Sequence, residues 1–330
     1  MRLSLTGAVR LVYYGTPSLA VQPLQRLVQD GRSPLLVVTR PDQPKGRGLA
    51  TGPSPVKDAA ITLGLPVVTP ARAGAPEEIE RLRALRPDLI VLVAYGQILP
   101  PPLLAIPRLG ALNVHFSLLP RHRGASPVQA AILAGDLETG VTTMWMTEGL
   151  DEGPLFLSRE VPIGETEDAG TLEGRLAVLG AECLAATLDR IERGEVVRRE
   201  QDASRATMTR KLRAADARLA PADPPETLAR RVRACAPDPG AYFTLGQERL
   251  LVLEATPGLD GPRAEAPGTI LGVDRARGLE VALPLGSLWL ARVKPAGRNA
   301  MSGAEYANGK RLKVGDRLPI SDAVPGEGNA

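Results

Sequence analysis

Leu89-Ile90-Val91-Leu92-Val93-Ala94 is an unbroken apolar run, bounded by Pro87-Asp88 before it and Tyr95-Gly96 after it. A strand that is apolar at every position has no face to give to water. Both faces must be covered, as in the middle of a parallel sheet. The flanking sequence repeats the theme. Residues 9–14 read as a second buried strand, ending at Gly15-Thr16-Pro17, and residues 18–29 carry helical spacing through Leu19, Leu24, Leu27 and Val28. Residues 35–39 and 67–68 read as strands. A helix is expected over 55–63, with Ser54 as N-cap and Gly64 as its stop, and another over 77–85 with acidic residues in its first turn. Further strands are expected at 112–115, 141–146 and 155–161. A helix opening at Ser126-Pro127 and ending at Gly135 separates the first two of these. Strands alternating with helices predict an α/β fold, a Rossmann-like open twisted sheet, with ligands at the carboxyl ends of its strands.

The second part of the chain has a different texture. Residues 171–193 form an amphipathic helix whose stripe runs through Leu172, Leu176, Leu179, Cys183, Leu188 and Ile191, which makes Cys183 a core residue. A polar segment over 194–210 reads as a linker between a first domain over 1–193 and a second over 211–330. Beyond residue 240, short strands at 242–245, 250–253, 269–273, 280–283 and 287–293 are separated by Gly, Pro and charged turns. That pattern suits a small barrel or sandwich, an OB-like β-barrel being one candidate.

Composition narrows the function. Two histidines, His115 and His122, exclude a multi-histidine metal centre, and Cys183 and Cys235 cannot make a four-thiolate zinc site or a disulfide framework. No apolar stretch is long enough to span a membrane, and no signal-peptide pattern opens the chain, so a cytoplasmic protein is expected. The formal charge of +3 is unevenly placed. Residues 1–200 carry 21 Lys and Arg against 22 Asp and Glu, and residues 201–330 carry 19 against 15. A basic second part permits a polyanionic partner.

The densest chemistry lies between Asn113 and Asp151. Asn113 and His115 are two apart on a strand and so face the same side at its carboxyl end. The loop Ser117-Leu118-Leu119-Pro120-Arg121-His122-Arg123-Gly124 follows, and Asp151 sits in the turn Gly149-Leu150-Asp151-Glu152-Gly153. An amide can donate to a developing oxyanion, an imidazole can move a proton near neutral pH, and a carboxylate can orient the imidazole. A histidine at a strand end can equally serve the structure by donating to a nearby carbonyl, and Asn and Asp beside glycines also form turns.

The string from Leu112 to Gly124, of the form Asn-x-His-x-Ser-Leu-Leu-Pro, followed by Gly149–Gly153 as Gly-x-Asp-x-Gly, resembles the signature of the folate-dependent formyltransferases. More narrowly, the chain is similar to the members that act on methionyl-tRNA. Matches run nearly end to end. They include Tyr14-Gly15-Thr16-Pro17, Arg40-Pro41-Asp42-Gln43-Pro44-Lys45-Gly46-Arg47-Gly48 and Ser54-Pro55-Val56-Lys57. Val93-Ala94-Tyr95-Gly96-Gln97-Ile98-Leu99-Pro100 and Arg298-Asn299-Ala300-Met301-Ser302-Gly303 complete the set. Phe116 and His122 depart from the small and aromatic residues frequent in the family, and the family's Asp-Trp near residues 216–220 is missing.

The resemblance implies transfer of the formyl group of 10-formyltetrahydrofolate to the α-amino group of initiator methionyl-tRNA. The neutral amine would attack the formyl carbon to give a tetrahedral intermediate carrying an oxyanion, with no metal. Asn113, His115 and Asp151 would be catalytic. Ser117, Leu118, Leu119 and Pro120, with Val93, Ala94, Tyr95, Gly96 and Ile98, would line the folate pocket. Lys45 and Arg47 would approach the tRNA acceptor end, and Lys310, Arg311 and Lys313 on the second domain would meet phosphates. The same core serves formyltransferases of small amines, which lack the Pro41–Gly48 loop. A formyl-folate hydrolase would share the triad without needing a basic barrel. A monomer is the family's default.

Overall fold

The computed structural model describes residues 9–45 and 50–321. Up to residue 209 the chain runs β1 (Leu11–Gly15), α1 (Val21–Gln29), β2 (Leu36–Val38), β3 (Gln43–Lys45), β4 (Ala50–Gly52), α2 (Pro55–Thr62), β5 (Val67–Val68), α3 (Pro76–Leu85), β6 (Leu89–Val93), α4 (Pro101–Leu104), β7 (Ala111–His115), β8 (Arg123–Gly124), α5 (Pro127–Ala134), β9 (Glu138–Trp145), β10 (Leu155–Pro162), α6 (Ala169–Glu192) and β11 (Met208–Thr209). It continues with α7 (Pro225–Ala234), β12 (Tyr242–Leu245), β13 (Glu248–Asp260), β14 (Ile270–Asp274), β15 (Gly278–Leu283), β16 (Gly286–Pro295), β17 (Met301–Ser302), α8 (Gly303–Lys310) and β18 (Ile320–Ser321). Two compact units result. Among the described residues, one gathers 9–45, 50–127, 138–162 and 173–209, and the other 128–137, 163–172 and 210–321. The short stretches 128–137 and 163–172 group with the later unit.

The apolar run of β6 takes the central place in the first unit's sheet, whose order is β10-β9-β7-β6-β1-β2-β5. β1 and β7 flank it in parallel, with Tyr14 opposite Leu92 and Leu92 opposite Asn113. Every residue of β1, β6 and β7 is buried. Full burial of a Val, Leu or Ile is worth about 1.5–3 kcal/mol, so this short stretch carries a large share of the drive to fold. β9 pairs antiparallel with β7, and β10 with β9, so the sheet is mixed at that edge. Because β1, β6 and β7 run the same way, the loops that follow them share one rim. Thr16 donates from its hydroxyl to the Tyr95 carbonyl at 2.8 Å, which ties two of those loops together.

Local expectations hold where a side chain decides the element. Ser54 caps α2 by accepting from the Lys57 amide at 3.0 Å, and Gly64 takes a left-handed φ of 67° just past the helix. Cys183 lies buried in α6, and burial pushes its thiol up to about 11. Ser126 differs from an ordinary N-cap: its φ is 57°, left-handed rather than extended. The segment expected as a linker is also more ordered than its polarity suggests. β11 pairs in parallel with β8, joining Met208 to Arg123 and Thr209 to Gly124.

The second unit is an antiparallel sheet of order β14-β15-β16-β13-β12-β18, with β17 attached to β16. Its two edges are joined by one stretch of chain. Ile270 donates its amide to the Asp316 carbonyl at 2.8 Å, and Leu318 donates to Gly268 at 2.9 Å. A few residues later β18 pairs with β12 at the opposite edge. The result is a closed barrel around Phe243, Val252, Ile270, Val281, Leu288 and Leu290. β13 extends well past the expected 250–253, with register shifts between Val252 and Glu254 and between Pro257 and Asp260. Bulges and Pro257 break the alternation by which a strand is read from sequence. A capping box starts α8: the Glu305 amide donates to the Ser302 hydroxyl at 3.1 Å, and the Ser302 amide to the Glu305 carboxylate at 2.8 Å.

Candidate active site

Asn113 and His115 point the same way from β7, and both are nearly fully buried. Asp151, 38 residues further along the sequence from Asn113 and left-handed at φ 50°, reaches them with its carboxylate. Its carboxylate is the hub of the site. Asn113 Nδ2 donates to Oδ1 at 3.0 Å, and the Gly124 amide donates to Oδ2 at 2.9 Å. His115 Nδ1 lies 3.5 Å from Oδ2.

The other nitrogen of His115 is committed. Nε2 donates to the His122 carbonyl at 2.9 Å. A carbonyl can only accept, so the neutral ring carries its proton on Nε2 and leaves Nδ1 as the nitrogen that can take one up. Protonated, the ring can donate to the carbonyl and the carboxylate together. The structural and catalytic readings of a strand-end histidine therefore both apply, one to each nitrogen. His122, an unassigned loop residue in the sequence, is buried at φ 57° and supplies its backbone oxygen to the site.

The loop after β7 is pinned from beneath. Thr142 of β9 donates to the Ser117 carbonyl at 2.8 Å and accepts from the Leu119 amide at 3.3 Å. The Ser117 hydroxyl donates to the Arg121 carbonyl at 2.7 Å. Ser117 and Leu119 are thus buried, and Leu118 and Pro120 are partly exposed. In the segment after β6, Val93 and Tyr95 are core residues, and Tyr95 meets Tyr14 edge-on with ring centroids 5.1 Å apart. Burial pushes the Tyr95 phenol up to about 12. Ala94 and Gly96 turn left-handed, at φ 46° and 83°, and this brings Gly96 and Ile98 to the surface, Ile98 with 81% of its area exposed. Exposed peptide groups beside an apolar side chain are what a planar, hydrogen-bonding pterin requires, so these residues fit a folate. A cavity of about 470 Å³ lined by Arg83, Arg86, Asp88 and Arg108 opens at the other end of the sheet, where β6 and β7 begin.

The expected tRNA contacts are placed unequally. Lys45 ends β3 in a hairpin with β4, and Arg47 lies outside the described residues. Lys310, Arg311 and Lys313 are exposed at the end of α8 and just after it. Among the described residues no group of three or more His, Cys, Asp or Glu could hold a metal ion, and no helix is long and apolar enough to cross a membrane.

The profile of the formyl transferase family matches residues 9–188, more than half of the chain. The chain belongs to the formyl transferase family. A second profile, the formyl transferase C-terminal domain, matches residues 211–311 of this formyl transferase. It is 48% identical to the methionyl-tRNA formyltransferase of Halorhodospira halophila over 94% of the chain and 99% of that protein. It is 42% identical to the methionyl-tRNA formyltransferase of Citrifermentans bemidjiense, over 98% of the chain and 100% of that protein. Among solved structures, HypX of Aquifex aeolicus in complex with tetrahydrofolic acid superimposes with a TM-score of 0.62 at 19% identity. The match covers 96% of this chain and half of that one. An N-formyltransferase of Helicobacter canadensis superimposes at 0.64 with 14% identity, over 86% of this chain and 98% of that one. These two structures share the fold.

Three residues at this site escaped the sequence reading: Thr142, Gln201 and Thr207. The last two sit in the stretch expected as a linker. Nothing local marks them, because each acts on residues far away in sequence.

Proposed function

We propose that this formyl transferase moves the formyl group of 10-formyltetrahydrofolate onto the α-amino group of initiator methionyl-tRNA. Near-full-length similarity to methionyl-tRNA formyltransferases supports the acceptor, and the carboxylate hub at Asp151 supports the chemistry. When bound, the folate supplies the formyl carbon and departs with its N10 as an amine. The chain's own groups orient and move protons. Asn113 Nδ2 has two hydrogens and gives one to Asp151, leaving the other free to donate to an oxygen bearing developing charge. His115 acts through Nδ1, since Nε2 is held by the His122 carbonyl. Asp151 keeps Asn113 and the imidazole in register and balances positive charge on the ring.

The exposed Gly96 and Ile98, with Ala94, Leu118 and Pro120, hold the folate, and Val93, Tyr95, Ser117 and Leu119 shape those loops from within. Lys310, Arg311 and Lys313, with Lys45 and Arg47, meet tRNA phosphates. The protein acts as a cytoplasmic monomer in this reading. The single observation that carries it is the convergence of Asn113, Gly124 and His115 on one carboxylate. The test supplies 10-formyltetrahydrofolate labelled in the formyl carbon, with either charged initiator tRNA or small amines. Label recovered as N-formylmethionine after ester hydrolysis supports the reading. Label on a small amine, or as free formate at the same rate with or without tRNA, refutes it.

A further inference from the structure

The stretch 199–209 runs as a strap across both halves of the candidate site. The Arg199 amide donates to the Leu155 carbonyl at 3.0 Å, and the Leu155 amide donates back at 2.8 Å. Gln201 Nε2 then donates to two carbonyls of the Asp151 turn, that of Asp151 at 2.9 Å and that of Gly153 at 2.8 Å. Its Oε1 accepts from the Arg123 guanidinium at 3.1 and 2.8 Å. Both hydrogens of one primary amide, and its oxygen, thus connect the Asp151 turn to the loop bearing Arg123. Further on, the Thr207 hydroxyl accepts from the His122 amide at 2.8 Å, and the Thr207 carbonyl accepts from the Arg123 amide at 2.8 Å. His122 is the residue whose carbonyl holds His115 Nε2. Gly124, which donates to Asp151 Oδ2, is paired with Thr209.

His115 and Asp151 therefore each have a backbone partner fixed by the strap, the His122 carbonyl and the Gly124 amide. We infer that Gln201 and Thr207 are positioning residues, Gln201 for the Asp151 carboxylate and Thr207 for the His115 imidazole, so that the strap sets the Asp151–His115 geometry. The left-handed backbone at Asp151 and at His122 is the reason such support is needed. Asp and His visit that region more readily than most side chains, yet it still costs an L-residue about 1–2 kcal/mol, which the surroundings must offset. Neither Gln201 nor Thr207 touches the reacting groups, so the signature is a change in turnover with binding preserved. This inference rests on the proposed roles of Asp151 and His115.

The test uses the full chain in the formyl-transfer assay with Gln201→Glu, which keeps the acceptor for Arg123 and loses both donations, and with Thr207→Val. A displacement of about 1 Å at a catalytic group costs up to about a hundred-fold, so kcat should fall by about ten- to a hundred-fold with KM for the folate changed by less than about threefold. Thr207→Ser should restore kcat. In Thr207→Val the His122 amide should exchange its hydrogen at least about ten-fold faster, because its acceptor is gone. In an Asp151→Asn background Gln201→Glu should cost less than about twofold more, as expected for groups acting as one unit. Should Gln201→Glu fail to fold, Gln201→Asn and the Thr207 pair carry the same comparison. Wild-type turnover in these variants, or a full additive loss beside Asp151→Asn, overturns the positioning role. Asp151→Asn alone separates the two readings. An inactive Asp151→Asn beside fully active strap variants refutes the strap and leaves the proposed chemistry standing, whereas a fully active Asp151→Asn refutes both.

Discussion

Asp151→Asn removes one charge and changes almost no volume. In the wild type, Oδ1 accepts from Asn113 at 3.0 Å and Oδ2 from the Gly124 amide at 2.9 Å. A carboxamide has one oxygen and one NH2, so either orientation sets a donor against a donor. Leaving such a group unsatisfied costs about 1–3 kcal/mol of stability. The catalytic cost is larger. A protonated His115 with Nδ1 at 3.5 Å from Asp151 Oδ2 interacts by about 5 kcal/mol at an effective dielectric of about 20. Asp151 retains 13% of its side-chain exposure, so part of this is screened, and we take about 3–4 kcal/mol as the loss when the ring must be charged. At 1.36 kcal/mol per tenfold that is a fall in kcat of about 200- to 900-fold. The assay is transfer of labelled formyl to charged initiator tRNA at saturating concentrations of both substrates, with the fold checked by circular dichroism. A folded Asp151→Asn enzyme turning over within about fivefold of wild type would refute the reasoning.

Three further outcomes follow from other parts of the molecule. Gly124 has φ 106°, and a Cβ there would run into the Thr209 carbonyl oxygen. Gly124→Ala should therefore destabilise by about 2–4 kcal/mol and lower the melting temperature by about 5–15 °C, read by thermal scan; an unchanged melting temperature would contradict this. Burial raises the Cys183 and Cys235 thiols from 9.0 to about 11, so neither should react with an aromatic disulfide at pH 8 until denaturant is added. The sign follows: stability is intact below pH 9, where thiols are protonated in both states, and declines as pH rises from 9 towards 11, where only the unfolded chain ionises. Replacing Lys310, Arg311 and Lys313 together by Ala should raise KM for tRNA, leave kcat unchanged and flatten the salt dependence of binding by about two units on a log–log plot. An unaltered slope removes these residues from the interface.

The sheet was legible because burial on both faces leaves a mark in consecutive residues. β6 could be read as a central strand from 89–94 alone, and β1 from its apolar run ending at Gly15-Thr16-Pro17. Asn113 and His115 were legible because their alignment is local, two residues apart on one strand. Asp151 entered as a nearby carboxylate, and its turn to the site depends on a left-handed backbone that an aspartate only sometimes adopts. Gln201 and Thr207 were not legible at all. Gln201 bonds the Asp151 turn across 50 residues of sequence and Thr207 bonds His122 across 85, and a polar stretch with no periodicity reads as a linker whether or not it is anchored. The length of β13 was hidden by its bulges and by Pro257, which interrupt the alternation without ending the ladder.

The most direct test of the account is His115→Ala in single-turnover transfer of labelled formyl from 10-formyltetrahydrofolate to charged initiator tRNA, with both substrates saturating. Deleting the imidazole removes the one ring nitrogen that faces the Asp151 carboxylate, while a general acid–base group contributes about 10²–10⁴-fold, so the rate of N-formylmethionine formation should fall by that factor with folate binding retained. A His115→Ala enzyme that forms N-formylmethionine at the wild-type rate would contradict the account.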